Sequence, residues 1–263
     1  METFGSSRRT RRNLLAAGGL LAGVALSQFG ARDAQACKGG IPGRCDDGGG
    51  GAACFLRGTR LLTPAGVRKI EELRIGDLVT TLSGEPKPIM WIGRRVYRHP
   101  TDSKHPKAVL PVRVARGALG PDTPHRDLLI SQEHALLVDG LLFRAIDLVN
   151  GSSIALDSAG ELFEIEYLHV KLARHDVLFA EGAPSETLRV NSSNAERFDN
   201  FAEYLRMFGE DASDEVRCAP IAAGNKRERL MSRLRSAVSP WVDRRNEFDK
   251  ARDRIEALAD LAS

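Results

Sequence analysis

The sequence predicts a mainly β protein with a C-terminal α-helical extension. From about residue 54 to residue 191, short apolar runs alternate with turn-forming residues, which is typical of an all-β body. After Asn194 the apolar residues recur with the period of a helix. A glycine-rich stretch with little apolar surface precedes both segments. We therefore divide the chain into an export signal (1–36), a flexible leader (37–53), a β domain (54–194) and a helical extension (195–263).

The N-terminal segment has the features of an export signal. Arg11 and Arg12 precede an apolar run over residues 14–29, and the segment ends in an A-x-A sequence at Ala36. The arginine pair resembles a twin-arginine signal. An ordinary secretory signal and a lipoprotein signal that ends before Cys37 are the alternatives. The apolar run is too short and glycine-rich for a membrane span. We expect an exported protein, periplasmic or secreted, without a stable membrane span after signal removal.

Charge gives no basis for nucleic-acid binding. The formal net charge is +3, and residues 1–36 contain five basic and two acidic side chains. The rest of the chain therefore holds 33 basic and 33 acidic residues. A balanced mature chain lacks the electrostatic footprint of a nucleic-acid-binding protein.

Cysteine and histidine spacing does not predict a metal site. An even number of cysteines in an oxidising compartment indicates disulfides, although spacing leaves the pairing open. The sequence contains no C-x-x-C pair, and the two His-Pro dipeptides have no third ligand within reach. The four cysteines are Cys37, Cys45, Cys54 and Cys218, and Cys37 and Cys45 are close enough in sequence to pair. The histidines of the two His-Pro dipeptides are His99 and His105.

Nine short strands are predicted within the β segment. Asp139-Gly140 between two apolar runs predicts a tight hairpin, and Gly93 predicts a turn that ends the third strand. A short helix or an irregular turn is predicted over 67–73. The strands are predicted at 61–63, 77–82, 89–92, 109–114, 128–130, 135–138, 141–143, 163–170 and 176–180.

Helices are predicted for the C-terminal extension. Residues 195–208 place Phe198, Phe201, Ala202, Leu205 and Phe208 on one face. Residues 226–262 predict two further helices divided near Pro240. Ten basic and five acidic side chains over 226–254 favour a solvated surface. A membrane-surface or partner-binding role around Arg227 to Arg254 is the alternative.

Four sequence blocks in order carry a family resemblance. They run from Cys54 to Gly66, from Ile70 to Val79, from Ser131 to Val138 and from Tyr167 to Gly182. Together they resemble the Hint domain, the self-processing module of inteins and hedgehog proteins, over roughly residues 54–190. The resemblance implies a horseshoe-like all-β fold that needs no cofactor, with Cys54, Ser131 and His134 in the reactive site and His175 in the last block.

The chemistry that this resemblance implies is self-cleavage at Ala53-Cys54. A thiolate is the strongest side-chain nucleophile near neutral pH. Attack of Cys54 on the Ala53 carbonyl carbon converts the amide into a thioester, an N-to-S acyl shift. His134 then protonates the departing amide nitrogen, while Ser131 holds the scissile bond. The leader is thus an intramolecular substrate, and the sequence leaves the nucleophile that opens the thioester unspecified.

Complete splicing is not expected. Complete splicing in inteins uses a terminal Asn, usually in a His-Asn pair, and this sequence has no His-Asn dipeptide. Asn191-Ser192 offers an asparagine for cyclisation but lacks the supporting histidine. We therefore expect N-terminal cleavage at most. The alternative is a catalytically inactive, exported Hint-fold module with a structural or interaction role, in which Cys54 forms a disulfide.

Overall fold

Two six-stranded antiparallel sheets form the body of the protein. The computed structural model describes residues 53–98, 106–157, 164–190, 194–209, 216–222 and 243–262, with 231–232, 234–237 and 239. The first sheet has the strand order β11-β7-β8-β1-β12-β6, the second has β10-β9-β14-β13-β2-β3, and β4 and β5 form a separate ribbon. The strands are β1 (Phe55–Leu56), β2 (Arg60–Thr63), β3 (Gly66–Lys69), β4 (Leu78–Thr80), β5 (Pro86–Pro88), β6 (Trp91–Arg98), β7 (Val112–Val114), β8 (Leu128–Ile130), β9 (Ala135–Val138), β10 (Leu141–Arg144), β11 (Ile154–Leu156), β12 (Glu164–Lys171), β13 (Val177–Ala180) and β14 (Ala183–Glu186).

Helices are few and short within the β body. They are α1 (Pro106–Val109) and α2 (Ala145–Leu148), with a 3₁₀ turn at Ile70–Glu72. The C-terminal part contains a 3₁₀ turn at Ala195–Arg197, then α3 (Phe201–Phe208) and α4 (Glu247–Ala262). None of the helices in the described part of the chain is long and apolar enough to span a bilayer.

Strand register brings distant parts of the chain to the start of β1. β1 lies between β8 and β12, because Phe55 pairs with both Ile130 and Leu168. The residues next to these partners along the neighbouring strands therefore flank Cys54. Because antiparallel neighbours pair residue by residue, this register determines which side chains meet at the beginning of the domain.

The Asp-Gly hairpin is present as predicted. Asp139 and Gly140 have φ values of 51° and 80°, and Leu141 pairs with Val138 across the turn. Two successive residues with positive φ match the twist of the flanking strands, and Asp-Gly accommodates them at low cost. β9 is the first strand of this hairpin, and His134 immediately precedes it.

Several predicted strand boundaries were wrong. Gly93 lies inside β6 rather than in a turn. Glycine is needed there because the Phe198 ring packs against the strand, and a Cβ would meet that ring at 2.5 Å. The run over 109–114 divides into the end of α1 and the shorter β7. Residues 67–73 form most of β3 and a 3₁₀ turn. Single-sequence patterns also gave no indication of four very short strands, β1, β5, β11 and β14.

The C-terminal extension packs against the β body. Phe248, Ala251 and Ile255 on α4 belong to the main hydrophobic core, and the Phe248 ring stacks on Phe143 with centroids 5.4 Å apart. Helical residues are observed on both sides of the predicted division, at 231–232 and 234–237 and in α4; Pro240 lies outside the described residues.

The apolar face predicted for the 195–208 helix was partly wrong. The helix is interrupted at residues 198–200, and Tyr204 is buried whereas Ala202 is exposed. Asp199 and Asn200 account for the interruption, because they hydrogen-bond to the edge of β6.

Candidate active site

Reciprocal hydrogen bonds join Cys54 to Ser131. The Cys54 amide donates to Ser131 Oγ over 2.8 Å, and the Ser131 amide donates to the Cys54 carbonyl over 2.9 Å. Ser131 directly follows β8, so the pairing of β1 with β8 places it opposite Cys54. The Ser131 hydroxyl therefore contacts the nitrogen of the Ala53-Cys54 peptide bond.

The Cys54 thiol is free and completely buried. It belongs to an apolar cluster with Trp91, Tyr167, Phe198 and Tyr204. Burial raises the pKa of this thiol well above its ordinary value, and the charge of Arg95 opposes this only in part. Cys54 is consequently a protonated thiol at neutral pH, so a base must accept its proton before it can act as a nucleophile.

His134 is a buried and uncharged imidazole. Among the described residues, neither of its ring nitrogens has a hydrogen-bond partner. Burial, with smaller effects from His169 and His175, holds its pKa well below the ordinary histidine value. The His134 ring lies 4.2 Å from the Phe55 ring and 4.7 Å from the His169 ring, centroid to centroid. A neutral imidazole carries both a proton and a lone pair, so it can accept one proton and donate another.

The site includes His169, which sequence reasoning did not single out. It lies on β12 next to Leu168, the partner of Phe55, and is therefore opposite Cys54 on the side away from Ser131. Burial lowers the pKa of His169 to about 4, although Glu186 and the backbone of Ala53 act in the opposite direction. A ring this close to the Ala53 backbone is placed to stabilise charge on the carbonyl that Cys54 would attack. The sequence feature that could have indicated His169 is the presence of a histidine within an otherwise apolar strand.

His175 lies in a neighbouring cluster, away from Ser131. Its Nε2 is 3.3 Å from Glu186 Oε2, and its Nδ1 accepts the amide of Cys218 over 3.0 Å. Glu186 connects this cluster to the first site, because its carbonyl lies 3.3 Å from His169 Nε2. Glu186 Oε1 also accepts the Ala135 amide over 2.9 Å, next to His134. Neither Glu186 nor Cys218 was indicated by any sequence motif.

Of the four predicted side chains, Ser131 contacts the Cys54 amide directly. The His134 ring lies against Phe55, the residue after Cys54, and His175 faces Glu186 in the neighbouring cluster. His99, His105, Cys37, Cys45 and Asn191 lie outside the described residues. Within the described ranges no group of three or more His, Cys, Asp or Glu side chains is placed to hold a metal ion.

Comparison with known proteins identifies the β body. Residues 53–192 match the family model described as a Hint domain. A variant of the gp41-1 intein is 15% identical, with a TM-score of 0.36, and the alignment covers 51% of this chain and 98% of the intein. A bacterial intein-like domain from Clostridium thermocellum is 14% identical, with a TM-score of 0.36 and coverage of 51% and 98%. A search of curated proteins found no match. Because the family model matches more than half of the sequence, the chain belongs to the Hint domain family.

Proposed function

We propose that this Hint protein cleaves its own chain between Ala53 and Cys54 by an N-to-S acyl shift. The observation that carries the proposal is the 2.8 Å hydrogen bond from the Cys54 amide to Ser131 Oγ. This contact holds the nitrogen that must leave, and it lies beside two buried neutral imidazoles. Nucleophile and electrophile are neighbours in one chain, so no entropy of association opposes the reaction.

The proton balance of the shift follows from the ionisation states. The thiol proton of Cys54 passes to a neutral imidazole, for which His134 is our candidate, as the sulfur attacks the Ala53 carbonyl carbon. The same imidazole then donates a proton to the departing nitrogen of Cys54. His134 is thus first a base and then the acid, because a ring that is uncharged at neutral pH has no surplus proton to give at the start.

His169 has a separate role in this proposal. As the carbonyl of Ala53 becomes tetrahedral, its oxygen gains negative charge. The Ala53 backbone already favours the protonated form of His169, so this ring is expected to stabilise the developing charge electrostatically. The resulting thioester is then opened by water or by an added thiol.

Mass spectrometry of the intact protein tests the proposal. Incubation with dithiothreitol under reducing conditions should release a fragment that begins at Cys54. Cys54→Ala should abolish release, and His134→Ala should slow it by about 100-fold, the usual size of a general acid–base contribution. Ser152→Ala, on an exposed turn, is the control and should cleave like the wild type. A chain that stays uncut in dithiothreitol and in hydroxylamine would contradict the proposal.

An inactive module is the second candidate function. The observation that favours it is the complete burial of the Cys54 thiol beneath Phe198 and Tyr204. In that case the fold serves a structural or interaction role, and the uncut chain in the same experiment is its expected result.

We also propose that the protein is exported through the signal in residues 1–36, by the twin-arginine route. A folded substrate of this route would reach the acyl shift while Cys54 is still reduced. Cell fractionation tests this proposal: Arg11→Lys with Arg12→Lys should retain the uncleaved precursor in the cytoplasm. Normal export of this variant would instead indicate an ordinary secretory signal.

A further inference from the structure

Glu186, the last residue of β14, contacts two other strands of the site. Its strand pairs with β13 on one side and with β9 on the other. The Glu186 carboxylate is largely buried and accepts the Ala135 amide of β9 at Oε1 over 2.9 Å. The carbonyl of the same residue lies 3.3 Å from Nε2 of His169 on β12. Glu186 thus joins the strand that follows His134 to the ring of His169.

The contact at the Glu186 carbonyl determines which nitrogen of His169 carries the proton. A carbonyl oxygen can only accept a hydrogen bond, so Nε2 of His169 is the N–H nitrogen. Nδ1 of this ring is buried and has no hydrogen-bond partner within the described part of the chain. In the uncharged ring Nδ1 therefore holds the lone pair, and it is the nitrogen whose protonation can change during a reaction.

The contact at the Glu186 carboxylate fixes the backbone beside His134. Ala135 is the first residue of β9 and directly follows His134. Oε2 of Glu186 faces Nε2 of the almost completely buried His175 at 3.3 Å. The carboxylate lies between two donors, so it cannot turn away from Ala135 without also losing His175. Hydrogen bonds to a charged acceptor are stronger than neutral ones, so this contact restrains the start of β9 firmly.

A docked segment of the extension, residues 216–222, supports the same cluster from the other side of His175. Its backbone forms two hydrogen bonds of 2.8 Å with Leu142 on β10. The Cys218 amide of this segment lies 3.0 Å from Nδ1 of His175. The ring that faces the Glu186 carboxylate is therefore held at both of its nitrogens.

We propose that Glu186 is a positioning residue for the self-cleavage: its carbonyl orients the His169 ring, and its carboxylate fixes the backbone beside His134. This inference rests on the proposed function and adds a residue that acts through the two histidines. A displacement of about 1 Å at a reacting group can reduce a rate by about 100-fold. A small shift of Glu186 is therefore expected to slow the reaction.

Glu186→Gln breaks this arrangement with little change of shape. The amide oxygen of glutamine can still accept the Ala135 amide, but the NH₂ group then faces the N–H of His175, donor against donor. The side chain must move away from one of its two partners. Glu85→Gln is the matched control, because it makes the same chemical change at an exposed position.

Thiol-induced cleavage of the full-length protein tests the proposal. At saturating dithiothreitol, intact mass should show Glu186→Gln cleaving about tenfold more slowly than the wild type, because the reacting groups are displaced. Glu85→Gln should cleave at the wild-type rate. A Glu186→Gln rate equal to that of the wild type overturns the proposal.

Thr187→Val separates positioning from loss of stability. It removes the buried hydroxyl that accepts the Asp176 amide over 2.9 Å, next to Glu186 in the chain. This variant should unfold at a lower urea concentration but cleave at the wild-type rate. An equal slowing in Thr187→Val and Glu186→Gln overturns the proposal, since lower stability would then account for both.

The position of His169 is measured separately in Cys54→Ala, which cannot cleave. With ¹⁵N-labelled histidine, long-range ¹H–¹⁵N correlations should place the His169 proton on Nε2, and His169→Gln identifies the signal. Adding Glu186→Gln should make this proton exchange with water about tenfold faster, because a hydrogen bond that opens more often protects its proton less.

A proton on Nδ1 instead, or an unchanged exchange rate, overturns the inference. An uncut wild type with the expected exchange result would contradict the self-cleavage and, with it, a role of Glu186 in catalysis, whereas the contact between Glu186 and His169 would be confirmed.

Discussion

At the scale of single residues, the Ser131 hydroxyl contacts the amide nitrogen of Cys54, which is the leaving group in the proposed cleavage. Its oxygen accepts the Cys54 N–H in a buried position, so no water can replace it without a rearrangement. A buried amide that loses its partner bears the full cost of its desolvation. The same contact therefore contributes to stability and to the proposed reaction.

Ser131→Ala is expected to lower the free energy of unfolding by about 1–3 kcal/mol, because the Cys54 N–H is left unsatisfied. It should also slow thiol-induced cleavage, since the scissile bond is no longer held. Urea denaturation and intact mass measure the two effects. Ser131→Thr keeps the hydroxyl and is the matched control. Equal stability of the alanine and threonine variants would show that the hydrogen bond is unimportant.

The buried histidines predict how stability depends on pH. The folded pKa of His169 is about 4 and that of His134 is also lowered, so the unfolded chain binds more protons below the ordinary histidine value of about 6.5. Stability is therefore expected to fall as the pH decreases from about 6.5 to about 4, with His169 contributing on the order of 3 kcal/mol. Denaturant melts in His169→Gln should show a shallower acid limb.

His175 is expected to change the stability with pH in the direction opposite to that of His134 and His169. Its folded pKa of about 9 lies above its unfolded value, so its contribution is complete below about pH 6.5 and is lost as the pH rises through 9. His175→Gln should flatten this part of the alkaline limb and leave the acid limb unchanged. An unchanged alkaline limb between pH 6.5 and 9 would contradict this assignment.

At the scale of elements, the segment from Asn194 to Phe208 covers the Cys54 thiol. Its aromatic side chains pack on Trp91, with the Phe198 and Tyr204 rings at 5.3 and 5.1 Å between centroids. Asp199 Oδ2 accepts the Val96 amide over 2.8 Å, so the segment also protects the free edge of β6. Access of thiols to Cys54 therefore requires this segment to move.

Gly93→Ala is expected to displace the covering segment. The new Cβ would lie 2.5 Å from Phe198, which is closer than any ordinary contact. We expect iodoacetamide to label Cys54 about tenfold faster in this variant, because a displaced segment opens the buried thiol to solvent. Fragment-ion mass spectrometry distinguishes Cys54 from Cys45.

Two further variants complete this test. Met207→Ala, on the exposed face of α3, is the control and should label like the wild type. Phe198→Ala should also accelerate labelling, since it removes the covering ring itself. Slow labelling in both Gly93→Ala and Phe198→Ala would mean that the segment does not limit access to Cys54.

At the scale of the whole molecule, the extension is part of the core of the domain. Phe248 is 6% exposed and belongs to the same apolar cluster as Phe55 and Ile130. Basic side chains of the extension form ion pairs, such as Arg235 with Asp249 at 2.6 Å. The contacts within the described residues therefore favour a packed structural role over a basic binding patch.

Phe248→Ala is expected to destabilise the protein by about 3–5 kcal/mol, because it leaves a cavity between α4 and the β body. Arg254→Ala should cost less than about 1 kcal/mol, since the Arg254–Asp139 pair is exposed. Urea unfolding of the intact chain compares the two variants. A small effect of Phe248→Ala would show that the helix contributes little to folding.

The fold class and the family could be predicted from the sequence, and both predictions are confirmed. Cys54, Ser131 and His134 were predicted as site residues from the same motif blocks. Alternating apolar runs, an Asp-Gly turn and ordered motif blocks are local properties, and each acts over a few neighbouring residues. Ser131 and His134 were found because they share one short block, and Cys54 because it begins another.

The remote groups of the site could not be predicted, because they are assembled by tertiary contacts. Strand register places His169 opposite Cys54, and a docked segment places Cys218 beside His175 and Glu186, which no local pattern specifies. The interruption of the helix at Asp199 likewise depends on the edge of β6, about 100 residues earlier in the chain. Burial, and with it the charge state of the histidines and of the Cys54 thiol, is a property of the assembled core, because desolvation arises only when distant elements pack together.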